Sequence, residues 1–78
     1  MKCKIVSQQT KQEFQNIISV TLPGLKGEMQ VLPGHAEGLI NLQGGEIVLK
    51  NNKNEETHLP LPNNSVCHIH NNEVLIIS

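Results

Sequence analysis

Breaks in this chain come so often that no helix of ordinary length fits between them. Pro-Gly stands at 23–24 and 33–34, Gly-Gly at 44–45, and Asn-Asn at 51–52, 63–64 and 71–72. Each pair forms turns for its own reason. Proline presets φ, glycine accepts positive φ, and asparagine tolerates the left-handed region. The stretches between them are short and rich in Ile, Val and Leu: 2–7, 17–22, 29–32, 39–42, 46–50, 56–61, 66–70 and 73–77. Short β-branched stretches at this spacing predict an all-β fold, a flattened antiparallel β-sandwich or barrel. Pro60 and Pro62 push the 56–61 strand to a sheet edge, because proline cannot donate to a ladder. The two Pro-Gly pairs predict type II turns bracketing the 29–32 strand.

At 78 residues there is room for one small domain and no second core. Phe14 is the only aromatic residue, so aliphatic side chains must build the interior. Six lysines, no arginine and seven glutamates give a net charge of −1. That balance lacks the basic stripe of nucleic-acid binding, and without arginine there is no bidentate clamp for phosphate. Cys3 and Cys67 are too few for a secreted disulfide scaffold and read as reduced, small apolar residues. The run 74–77 is far shorter than the about 20 residues needed to cross a bilayer. Together these features describe a soluble, cytosolic domain.

Local chemistry is sparse. His68 and His70 are two apart and would share one face of a strand, where both could reach a metal. His58 or Glu73 could supply a third ligand, while Cys67 lies on the wrong face. A small metal-binding β-domain is therefore the alternative reading. His35 follows a turn but has no nucleophile or carboxylate spaced to form a dyad, and Ser65 or Cys67 would meet it only through folding. Gly44-Gly45 lacks the Lys-Ser/Thr of a phosphate loop. Neither a catalytic residue nor a cofactor is expected.

The segment from Val20 to Gly45 carries a more specific pattern. It contains Val20, Leu22-Pro23-Gly24, Gly27-Glu28, Val31-Leu32-Pro33-Gly34-His35-Ala36, then Leu39, Leu42 and Gly45, after an opening Lys4-Ile5-Val6-Ser7. In order and spacing this resembles the amino-terminal domain of the epsilon subunit of F-type ATP synthases. The resemblance covers the whole chain and weakens after residue 50. Glu37 stands where that family usually has proline, and 64–69 lacks the glycines that open its penultimate strand. The resemblance implies a ten-stranded β-sandwich at the foot of a rotor, non-catalytic, bound to the gamma subunit and the c-ring. It would couple ion flow to ATP synthesis, on the cytoplasmic face of the inner (plasma) membrane and peripheral to it. The resemblance also implies partner contacts at Leu25, Lys26, Gly27, Glu28 and Met29, facing the ring, and at His35 and Ala36. Only the β-domain, residues 1–78, is matched; the family's carboxy-terminal helical hairpin, and with it self-inhibition, is expected to be absent.

Overall fold

A computed structural model describes residues 1–78 as nine strands and no helix: β1 Lys2–Val6, β2 Lys11–Phe14, β3 Ile17–Gly24, β4 Gly27–Val31, β5 Gly38–Leu42, β6 Gly45–Asn51, β7 Glu56–Leu61, β8 Ser65–His70 and β9 Glu73–Ile77. They form one curled sheet in the order β2-β1-β9-β8-β5-β3-β6-β7, with β4 on the other side of β3. A single rung, Gly24 opposite Leu42, joins β5 to β3. The sheet folds over at that rung, so β2-β1-β9-β8-β5 faces β4-β3-β6-β7 across the interior.

Strand alternation fills the interior. Val20 and Leu22 on β3, Ile47 and Leu49 on β6, and Val74 and Ile76 on β9 are each at most 1% exposed. They belong to one cluster of 13 buried residues drawn from both layers. Full burial of such a side chain contributes about 1.5–3 kcal/mol. Cys3 and Cys67 are free and buried in the same cluster. Cys3 pairs with Val74 and Cys67 with Ile76, on strands flanking β9. Two strand spacings alone put their backbones at least about 9.6 Å apart, and the two-residue offset along β9 adds to that, beyond the about 7 Å a disulfide spans.

Local turn chemistry explains three of the connections. Asn71 and Asn72 take φ of 50° and 58° between the paired His70 and Glu73, as a two-residue type I′ hairpin requires. Gly34 takes φ 84° and the His35 amide donates to the Leu32 carbonyl at 3.1 Å, completing the expected type II turn. The Asn51 side chain accepts from the amides of Lys53 and Glu55 at 2.9 and 3.0 Å, closing the β6–β7 loop. β7 lies at the sheet edge, where Pro60 is tolerated, and Pro62 follows its end.

Three expectations need correction. There are nine strands, where the resemblance implies ten, and the polar 11–14 segment is one of them. The sheet is not wholly antiparallel: β1 pairs with β9 in parallel, Lys2 opposite Glu73 through Val6 opposite Ile77. Hairpin signals report neighbours in sequence, and these two strands lie at opposite ends of the chain. The first Pro-Gly is not a turn, because β3 runs through Pro23 to Gly24 and the loop is Leu25-Lys26. Proline survives there because its missing amide faces away from β4, while its carbonyl accepts from the Gln43 amide at 2.9 Å. Gly27, at φ 125°, takes the positive dihedral instead.

Candidate functional site

The β3–β4 hairpin leans on β5. The Leu25 amide donates to the Asn41 carbonyl at 3.2 Å, beside the Gln43–Pro23 bond. Between hairpin and strand lies a groove of about 480 Å³ whose walls are residues 24–29 on one side and Leu39, Ile40 and Asn41 on the other. Leu25 and Leu39, 63% and 73% exposed, stand at its mouth, and half-buried Met29 lies deeper. Lys26 and Glu28 take part in none of the salt bridges of the fold. The tip thus offers an apolar groove flanked by one uncommitted charge of each sign.

Leu25, Lys26, Gly27, Glu28 and Met29 are thereby brought together, as the sequence places them. His35 and Ala36 are not part of the groove. β4 carries the chain away from the tip by five residues, about 17 Å at strand rise. Both are exposed, with the His35 Nδ1 2.8 Å from the Ala36 carbonyl. Leu39, Ile40 and Asn41 form the wall that sequence reasoning missed. Leu39 already belonged to the matched pattern, but nothing in the sequence marks it as an exposed residue facing the hairpin.

A second cluster lies on the outer face of the β8–β9 hairpin. The His68 and His70 rings stack with centroids 5.6 Å apart and planes 18° apart. His70 pairs through Nδ1 with Glu37, and Glu73 lies 3.6 Å from Lys4. His58 does not join them. Its Nδ1 is 2.8 Å from Glu46 and its Nε2 3.1 Å from Glu56, and those hydrogen bonds raise its pKa. As the side chains stand, no three metal-ligating groups converge. Burial raises the Cys3 thiol to about 12, with Cys67 adding to the shift, and raises Cys67 to about 11. Both stay protonated and are poor nucleophiles at neutral pH.

Fold and site together define a small β-sandwich domain with its two most exposed leucines at one groove. The chain belongs to the ATP synthase delta/epsilon chain β-sandwich domain family, whose match spans residues 1–78. It is 41% identical over 49 residues to the ATP synthase epsilon chain of Granulibacter bethesdensis, 63% of this chain and 36% of that one. To the ATP synthase epsilon chain of Wolinella succinogenes it is 47% identical over 47 residues, 60% of this chain and 36% of that one. The aligned part is thus about a third of the length of these relatives. Its fold is shared with a chain in the cryo-EM structure of the Tetrahymena thermophila mitochondrial ATP synthase central stalk and c-ring, at TM-score 0.80 and 13% identity. That alignment covers 99% of this chain and 61% of the other. The epsilon resemblance read from the Val20–Gly45 pattern is borne out.

Proposed function

We propose that this domain is a non-catalytic rotor component of an ATP synthase, held between the gamma subunit and the c-ring. In that place it couples ion flow to ATP synthesis from the cytoplasmic face of the membrane, as a peripheral part of the complex. The observation that carries the reading is the β3–β4 tip, with its exposed Leu25, its apolar groove and the unpaired Lys26 and Glu28. Magnitudes assign the parts. An exposed ion pair made by Lys26 or Glu28 contributes about 0–1 kcal/mol, so charge alone holds nothing against torque. Covering Leu25 and Leu39 contributes about 1.5–3 kcal/mol for each side chain fully buried. The leucines supply affinity and the charges supply register.

His35 and Ala36, on their own loop, make a separate contact with gamma or the ring in this reading. The test is assembly: the chain is co-expressed with gamma and the c-ring, and retention is measured for wild type, Leu25→Asp and Leu39→Asp. Wild type is expected to co-purify with gamma, and the aspartate variants to lose ring association. A folded wild-type chain that never associates with gamma overturns the proposal.

A further inference from the structure

We propose that His68 and His70 form a transition-metal site on the outer face of the β8–β9 hairpin, taking a borderline divalent ion such as Zn²⁺ or Ni²⁺. The inference is independent of the rotor reading. Alternation puts both rings on one face of β8, and their centroids are 5.6 Å apart. Two imidazoles sharing a tetrahedral ion at ordinary zinc–nitrogen distance have ring centres ~5 Å apart. The observed spacing is therefore nearly that of a chelating pair. The planes are close to parallel, and turning the nitrogen edges toward a common ion needs rotation about χ2, which is a soft torsion in histidine.

Three further features favour the site. Glu37 meets His70 at Nδ1, leaving Nε2 free, and a carboxylate on the far nitrogen fixes the ring orientation of a metal-binding histidine. A recess of about 240 Å³ beside the rings is lined by His68, His70, Asn71, Glu73 and Leu75, leaving space for an ion with bound water. Glu73, the cross-strand partner of His70, lines that recess and offers a carboxylate there, which it shares with Lys4 at 3.6 Å. The remaining histidines fit less well. Both nitrogens of His58 are engaged by Glu46 and Glu56, and His35 stands on a separate loop with its Nδ1 at the Ala36 carbonyl.

The test is a calorimetric titration of the full chain with ZnCl₂ and NiCl₂ near neutral pH, with the histidine ring signals followed by NMR. One saturable ion per chain is expected, with His68 and His70 signals moving together. His68→Ala and His70→Ala should each weaken binding at least about tenfold, and Glu37→Gln about tenfold through its hold on His70. His58→Ala and His35→Ala should leave it unchanged. His68 is half-buried and the other substituted side chains are exposed, and circular dichroism confirms that each variant is folded. Absence of saturable binding overturns the proposal, as does affinity unmoved by His68→Ala or lost in His58→Ala.

Discussion

Replacing Gly24 by alanine tests whether the hairpin tip is held by backbone proximity. A Cβ built on Gly24 lies 2.8 Å from the Gly27 carbonyl oxygen and 3.5 Å from the Met29 sulfur. The sulfur can rotate away. The carbonyl cannot, because Gly24 and Gly27 are the last rung of the β3–β4 ladder, and only backbone separation relieves the contact. Overpacking of this kind costs about 1–3 kcal/mol. In a domain of this size each kcal/mol moves Tm by roughly 4–8 °C, so Gly24→Ala should melt about 4–24 °C below wild type. Gly38→Ala is the matched control: it also lies in a strand, has no positive φ and meets nothing within 4 Å. Its melting should match wild type to within about 0.5 kcal/mol or improve slightly, as alanine costs less chain entropy than glycine. Far-UV circular dichroism melts and urea midpoints on the three proteins decide the matter. Equal stability of Gly24→Ala and wild type, or an equal loss in Gly38→Ala, would refute the proximity argument.

Two further predictions concern titration and thiol access. Glu46 and Glu56 raise the pKa of His58, so its pairing stabilises the fold fully below the unfolded value near pH 6.5 and fades as pH rises through the folded value. The Tm difference between wild type and His58→Gln should therefore be larger at pH 6 than at pH 8.5; a difference constant with pH contradicts the assignment. The buried, protonated thiols of Cys3 and Cys67 should resist iodoacetamide at pH 8 in the folded chain and react together once urea unfolds it. Rapid labelling of either in the folded state would place that thiol outside the core.

What the sequence revealed follows the range over which each interaction acts. The β8–β9 hairpin was legible because Asn71 and Asn72 carry the turn themselves, and the β7 edge because Pro60 and Pro62 exclude a central position. The parallel β1–β9 pair was not, since partner choice between the chain ends leaves no local mark. The Pro23-Gly24 reading failed for a narrower reason. Proline stops a strand only where its amide would have bonded to the neighbouring strand, and residue 23 lies beyond the last β3–β6 rung, Thr21 opposite Val48, with its amide side turned away from β4. At the candidate site, residues 25–29 could be read as a tip from Gly27 and the motif around it. The opposite wall, Leu39 to Asn41, depends on the long-range rung between Gly24 and Leu42, so only the fold reveals it.

The hairpin that ends at Gly24 also sets which main-chain groups the tip leaves unpaired. Because the Gly24–Gly27 rung closes a two-residue hairpin, alternation turns the main-chain groups of Glu28 and Gln30 away from β3. β4 pairs with no other strand, so those groups form an unpaired edge. Across the groove, the Asn41 carbonyl points away from β8 to accept from Leu25, and period-two alternation turns the main chain of Leu39 the same way. Two open edges thus flank one apolar groove, an arrangement that invites pairing with any extended chain. Glu28 stands on that edge and Lys26 in the loop beside it, and charged side chains there oppose indiscriminate edge-to-edge contact. Neutralising both with Lys26→Gln and Glu28→Gln should therefore increase self-association of the isolated chain in sedimentation velocity, without lowering its melting temperature. If the doubly neutral variant remains as monodisperse as wild type, these charges are not what guards the edge.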